Sequence, residues 1–355
     1  MADLLTNNII AELPFTDVQF TQQLNSIGNF SGSILLSGVN QTATNIMNGT
    51  IPAKTAIYVD RDGVLLWGGI VWSRTWSSKD QRLSINAREF ESYLERRVIT
   101  TTTAFTSQDP ISIAKTLITN MQAATNGNIG IVLGSETSTS TVTKTYYSYE
   151  LKTVYNAIRD LSKANNGFDF SIYVYYDINA TPTKLLRFGS PRSGVAYSPT
   201  NTSIPVIELP GNLTEYEYPE DGVIAANKIY AVGAGSNEGK IIVSATDATK
   251  ITDGWPLLED QINYSDQTDT TLLGNFASAQ VGAVSYPPTV IKTVMPTYID
   301  PIIGSYQIGD DIRVRIKDDR FPNGLDTYYR LVAYNVTVGE NRPEVVTMSL
   351  TISTY

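Results

Sequence analysis

The chain has 355 residues, with 35 acidic against 26 basic side chains, a formal charge of −9, and neither histidine nor cysteine. That length exceeds one ordinary hydrophobic core, so two or three domains are expected. The absent residue types exclude disulfides, thiolate chemistry and every Ser–His or Cys–His catalytic arrangement. The acidic balance argues against holding nucleic acid by phosphate neutralisation, which needs a basic face, although DNA can pass such a surface without adhering. A 42% apolar and 17% charged composition is that of a folded chain. Abundant Thr, Ser, Asn and Tyr favour strands joined by turns. The opening MADLLTNNIIAELP lacks a basic region followed by an apolar core, so no signal peptide is expected. No apolar run is long enough to span a bilayer.

Two strands are predicted within Ile9–Leu36, "DVQFTQQLN" and "FSGSILL", turning at Ile27-Gly28-Asn29. "TAIYVDRDGVLLW" reads as a hairpin about Asp62-Gly63. Gly68-Gly69 then predicts a bulge, beyond which Ile70, Trp72, Arg74 and Trp76 share one face. Leu83, Ile85 and Ala87 continue as a strand, and the spacing turns helical at Phe90, Tyr93 and Leu94. Asp109 and Pro110 open a helix with the apolar stripe Ala114, Leu117, Ile118 and Met121, stopped by Asn126-Gly127. A second helix, from "SYELKTVYNAIRDLSKANNG", buries Leu151, Val154, Tyr155, Ile158 and Leu161 and ends at Asn166-Gly167. "FDFSIYVYYD" and "TKLLRFG" form an antiparallel pair, and the Ser/Thr run Ser135–Thr145 is an exposed loop or weak edge hairpin. After Ser190–Pro205, strands return in "NLTEYEYPEDGVIAANKIYAVGAG" and "KIIVSAT". "TDTTLLGNFASAQVG" is a helix carrying Leu272, Leu273 and Phe276, closed by Pro287-Pro288. "DDIRVRIK", "TYYRLVAYNVTV" and "EVVTMSLTIS" end the chain as strands.

The fold class expected from these elements is mostly β with an α+β insert; two tube-like β-barrel modules plus a smaller α/β domain are what the family resemblance given below implies. The boundaries expected are 1–105 for the first module, 106–205 for the insert of two helices on a small sheet, and 206–355 for the second module, with a helical excursion around 268–283. The two β modules share a layout. Ile57/Val59, Asp62-Gly63, Trp67–Trp76 and Leu83/Ile85 correspond to Ile312/Val314/Ile316, Asn323-Gly324, Tyr328–Val338 and Val346/Met348/Leu350, which reads as an internal duplication.

No catalytic, cofactor-binding or metal-ligating residue is assigned. "VDRDG" (Asp60–Gly63) lacks the later ligands of a calcium loop and reads as a hairpin turn. Asp310 and Asp311 are neighbours on a strand and point to opposite faces, so a solvated strand start is expected. Asp318–Arg320 is a charged turn. Glu215, Glu217, Glu220 and Asp221 could serve a glycosidase only if two flanked a cleft, and "YEYPEDG" reads more simply as an edge strand and turn. "GAGSNEG" (Gly233–Gly239) has neither Lys-Ser/Thr nor an opening helix behind it, unlike a phosphate loop. Trp72 and Trp76 suit a core or subunit contact better than a sugar platform.

"IIAELPFTDVQFTQQLNSIGNFSGSILL", "RDGVLLWGGIVWSRTWSSKDQRLSINAREFESYLERR" and "YQIGDDIRVRI" resemble the minor tail proteins that form the tail hub, or tail-tip baseplate, of long non-contractile bacteriophage tails, especially in phages of actinobacteria. The resemblance implies two tube-like barrel domains interleaved with α/β domains and assembled as a homotrimer. It further implies distal-tail or tail-tube ring proteins, the tape-measure protein and downstream tip or receptor-binding proteins as partners, a location at the virion tail tip, no cofactor, and DNA passing through the lumen without sequence-specific contact. A hexameric distal-tail ring protein, or a carbohydrate-binding or carbohydrate-processing β-protein, are the alternative expectations.

Overall fold

The computed structural model describes residues 1–36, 43–163, 167–198, 200–201, 203–285, 290–339 and 342–353. The first module comprises β1 (Ala2–Asp3), β2 (Thr16–Gln23), β3 (Asn29–Leu35), a short helix α1 (Ala43–Asn48), β4 (Thr55–Arg61), β5 (Val64–Ser77) and β6 (Arg82–Glu89). Asp62 and Gly63 both take positive φ, 54° and 82°, as the two-residue hairpin between β4 and β5 requires. Leu83, Ile85, Ala87 and Glu89 alternate inward along β6, and a 3-10 turn at Phe90–Arg96 follows.

The insert contains β7 (Thr103–Gln108), α2 (Pro110–Gln122), β8 (Ile131–Leu133), β9 (Val142–Tyr146), α3 (Val154–Ser162), β10 (Asp169–Tyr176) and β11 (Pro182–Gly189). Asp109 caps α2 by accepting from the Ile111 and Ser112 amides. The second helix starts later than expected. Leu151 is left-handed at φ 46° and 56% exposed instead of buried, and Thr153 caps α3 instead. The expected stop at Asn166 lies outside the described residues. Part of the Ser/Thr run pairs as β9 with β7.

The remainder holds β12 (Val206–Leu209), β13 (Glu215–Glu217), β14 (Lys228–Val232), β15 (Ile242–Thr246), α4 (Ala248–Thr252), β16 (Glu259–Asn263), α5 (Thr270–Val284), β17 (Val290–Pro296), β18 (Asp311–Ile316), β19 (Leu325–Gly339) and β20 (Arg342–Ile352). The helix expected around 268–283 forms as α5, and it covers a sheet of its own, β15-β14-β16, around Ile229, Ala231, Leu273 and Phe276. Its expected closure at Pro287-Pro288 lies outside the described residues.

The other strands of this region repeat the first module. Neighbours run β1-β4-β5-β6-β3-β2 in one and β12-β18-β19-β20-β17-β13 in the other. In chain order both are first-fourth-fifth-sixth-third-second, with the β14–α5 unit inserted between the second and third strands of the later copy. The copies differ in orientation at one place, β1 being antiparallel to β4 and β12 parallel to β18. They agree down to one bulge, where register slips between Val71 and Ser73 on β5 and between Leu331 and Ala333 on β19. Beside it the Ala53 amide donates to the Val71 carbonyl (2.7 Å) and the Gly309 amide to the Leu331 carbonyl (2.8 Å). Val71 thus corresponds to Leu331, and through the ladders Ala87 to Leu350 and Phe30 to Ile291. The strands form an open path, and none of the described residues closes either module into a barrel by itself.

The bulge expected at Gly68-Gly69 therefore falls three residues later. The glycines serve close approach instead: a Cβ on Gly68 would lie 2.8 Å from Val174 and 2.9 Å from Phe90, and one on Gly69 would lie 2.3 Å from the Arg88 carbonyl. The bulge also breaks the expected common face. Ile70 and Trp72 pack on the core shared with the insert, whereas Arg74 reaches the Met47 carbonyl and Thr50. Met47 adjoins the second large core, where Trp67, Phe30, Ile57 and Phe20 of the first module join Ile291, Ile312, Leu331 and Leu350 of the second. No helix among the described residues is long and apolar enough to cross a membrane.

Gly69→Ala is expected to cost about 1–3 kcal/mol or more through overpacking. Gly222→Ala, with nothing near the added methyl, is expected to change little. Chemical denaturation of the two variants side by side checks this.

Candidate assembly interface

β19 is 15 residues long and β18 only six. β18 pairs with Leu325–Arg330, which leaves the distal half of β19 to be satisfied by another strand. β2 of the first module takes that place, with Gln23 opposite Ala333 through to Val18 opposite Val338. Leu24 prolongs the seam by donating to the Val332 carbonyl at 2.9 Å. Side chains stitch it further: Gln19 Nε2 donates to Asn335 Oδ1 (3.1 Å) and the Tyr334 hydroxyl to Gln22 Oε1 (2.8 Å). The two modules are thus one sheet, joined edge to edge.

A polar knot fastens the insert and the connector after β11 to this sheet. The Arg330 guanidinium donates to Asp169 and to the Ser193 carbonyl (3.0 Å), while Asp169 also accepts from the Ser193 amide (2.7 Å) and Asn25 Nδ2 (2.8 Å). Asp311 accepts from Arg192 (2.7 Å), the Tyr197 amide (2.7 Å) and the Ser353 hydroxyl (2.8 Å). It is fully buried, which corrects the expectation of a solvated strand start. Asp310 does point the other way, accepting from the Val195 and Gln307 amides at 2.7 and 2.8 Å.

Two more carboxylates are buried nearby: Glu89 braces the first module internally, and Glu91 pins it to the insert. Glu89 accepts from the Gly28 amide and Glu91 from the Ile172 amide. Burial raises both, Glu91 to about 7, and the charge of Glu91 adds to the rise at Glu89. Lys184, also buried, donates to the Ile129 carbonyl (2.7 Å) and Asn7 Oδ1 (3.1 Å), and burial lowers it to about 8. Between the insert and the β14–α5 unit, Lys152 and Lys144 converge on Asp266 at 2.8 and 3.3 Å.

The residues singled out in sequence are spread across the molecule. Asp60 accepts from the Gly63 amide at 3.1 Å within its hairpin. Asp318 sits in a turn, accepting from the Tyr216 hydroxyl (2.6 Å) and the Arg320 and Phe321 amides. Glu215 and Glu217 lie on β13, the strand that ends the large sheet, where Glu217 pairs with Lys292 at 3.3 Å. Glu220 pairs with Arg320 at 2.8 Å. Gly233–Gly239 forms the connection from β14 to β15. Trp72 is half-buried and donates to Ser92 Oγ at 2.8 Å. Among the described residues, no group of three or more carboxylates is placed to hold a metal ion. Sequence reasoning missed Glu89 and Lys184, though each stands on the inward phase of an alternating strand: Leu83, Ile85, Ala87, Glu89 and Lys184, Leu186, Phe188. Charge at an apolar phase was the available signal. Arg330 and Asp169 offer no such mark.

No family model matches the chain, and no curated protein matches it in sequence. Solved structures do match its fold over nearly its full length. A prophage MuSo2 43 kDa tail protein from Shewanella oneidensis gives a TM-score of 0.62 at 11% identity, covering 96% of this chain and 94% of its own. A tail protein from Neisseria meningitidis MC58 gives 0.59 at 13% identity, covering 95% and 92%. The E. coli c3393 protein is a type VI secretion system component with structural similarity to the T4 tail proteins gp27 and gp5. It gives 0.55 at 11% identity, covering 98% and 75%. The chain shares the mostly β, several-sheet fold of these phage tail and tail-like proteins.

Two outcomes follow from the buried charges. Arg330→Met strips Asp169 of its cation in a nearly buried site and is expected to lower stability by on the order of 3 kcal/mol, measured by denaturant unfolding. Glu91 is raised in the folded state, so its contribution is intact at pH below the ordinary carboxylate range and is lost as pH climbs towards about 7. Glu91→Gln keeps an acceptor for Ile172 and cannot ionise. The melting-temperature difference between variant and parent should therefore be more positive at pH 8 than at pH 5.

Proposed function

We propose that this protein is a structural component of a phage-type tail, the hub of its tip, which works as a homotrimer. The observation that carries the reading is the duplicated six-stranded module joined edge to edge through β2 and β19. Three chains supply six similar modules about one axis, so the ring offers near-sixfold symmetry to a hexameric tube and threefold symmetry to a central tip. Its neighbours are then distal-tail or tail-tube ring proteins on one side and tip or receptor-binding proteins on the other, with the tape-measure protein and DNA in the lumen. The overall charge of −9 suits passage of DNA without adhesion. The likeness of the fold to tail proteins supports the tail role. The domain division proposed is a first module, an α+β insert, and a second module carrying the β14–α5 unit. The finer assignment to long non-contractile tails of actinobacterial phages is proposed on the quoted segments. The carbohydrate reading has less support, because Trp67 is buried and Trp72 packs on the insert-side core.

Native mass spectrometry of the full chain, alone and mixed with the adjoining ring protein, tests the assignment. Three copies per particle are expected, with threefold density in electron micrographs. Six copies would support a distal-tail ring instead, and a monomer under every condition would remove the hub reading.

A further inference from the structure

We propose that copies of this chain join by antiparallel pairing of Glu217–Asp221, the end of β13 and the residues that follow it, of one copy with the distal half of β5 of the next, reproducing between chains the seam that β2 and β19 make within one. The inference rests on the ring reading above and supplies its contact.

The duplicated topology makes two edges unequal to their counterparts. β5 is 14 residues long, and β4 pairs with it only as far as Ile70. Among the described residues, no strand pairs with the side of Ser73–Ser77 that faces away from β6. This is the stretch that corresponds to the part of β19 covered by β2. The counterpart of β2 in the second module is β13, and it ends the sheet with one side unpaired among the described residues. Each chain therefore carries one satisfied copy of the seam and the two halves of a second. Two such halves on opposite modules of one chain cannot meet each other where the first seam already holds the modules together, but they match on successive copies. Contacts of this head-to-tail kind close into rings when the rotation between successive copies closes, and build open filaments otherwise.

The internal seam also dictates the register. Gln19 lies opposite Ser31 on one side and Thr337 on the other. Ser31 corresponds to Lys292, whose partner is Glu217, and Thr337 corresponds to Ser77. Glu217 is therefore expected opposite Ser77 of the neighbouring copy, Tyr218 opposite Trp76, and Glu220 opposite Arg74. Pro219 does not interfere. It corresponds to Thr21, and because Leu24 faces β19, strand alternation turns the Thr21 amide towards β3. Glu217 and Glu220 are already paired within the chain with Lys292 and Arg320, and Arg74 with Met47 and Thr50, so the match of the two edges is one of backbone register. Trp76, 42% exposed in the single chain, gains an aromatic partner.

The chain has no cysteine of its own, so paired cysteines report the register directly. In the full chain, Ser77→Cys with Glu217→Cys should give, under mild oxidation, a ladder of covalent species that ends at three chains. Gln19→Cys with Thr337→Cys, the internal counterpart, should close within a single chain. Trp76→Pro removes an amide that faces the open side while leaving the β6 ladder intact. It should abolish assembly in native mass spectrometry without lowering the melting temperature by more than a few degrees. If trimers form while only the internal cysteine pair closes, or if Trp76→Pro assembles as well as the parent, the pairing is wrong and the ring reading survives. If the internal pair closes and no assembly or ladder appears at any concentration, both fall.

Discussion

A strand's amides and carbonyls need partners along its whole length, and the long strand β19 outruns β18. The distal half of β19 is satisfied only because β2 comes from the other end of the chain to lie beside it. That demand turns two separate β modules into one sheet. It also brings Phe20, Phe30 and Trp67 into the same core as Ile312, Leu331 and Leu350. Burial of such side chains contributes roughly 1.5–3 kcal/mol each, so the seam and the core reinforce each other.

The two copies keep the backbone plan while changing what their shared positions do. Ile70 and Ala56 stand opposite each other in the first module, and both belong to the apolar core shared with the insert. The corresponding pair in the second module is Arg330 and Asp311. Those charges are paired, through Asp169 and Arg192, with the insert and the connector after it. The first module thus holds the insert by burial together with hydrogen bonds from Asn7, Asn25 and Glu91, and the second by the charge-assisted contacts of Arg330 and Asp311. Burial tolerates small shifts, whereas charge-assisted hydrogen bonds do not.

Much of this plan was legible in the chain. Alternation marked β2, β3, β4, β6, β18, β19 and β20, and Asp109-Pro110 marked the start of α2, because these signals are local. The matched layout of Ile57–Ile85 and Ile312–Leu350 was legible for the same reason, and both stretches are antiparallel meanders with the same topology. β12, β16 and β17 went unread, being short or lying in mixed sequence where pairing with distant strands decides the conformation. Leu151 broke the helical pattern because its left-handed backbone is set by the turn before α3. Gly68-Gly69 looked like a bulge because glycine marks both bulges and close approaches, and only the crossing of β10 and Phe90 tells the two apart.

The sequence alone determined that the chain is folded and mostly β, that two of its stretches share one strand layout, and that histidine and cysteine chemistry is closed to it. Those conclusions depend on composition and on periodicities within a few residues, which the chain carries in itself. The tertiary structure decided that the modules share one sheet, that Asp311 is buried in a knot with half-buried Arg330 beside it, and that β13 and the distal half of β5 each have a side without a partner strand among the described residues. Each of these depends on residues hundreds of positions apart meeting in space, where hydrogen-bond satisfaction and close packing, not local preference, set the outcome.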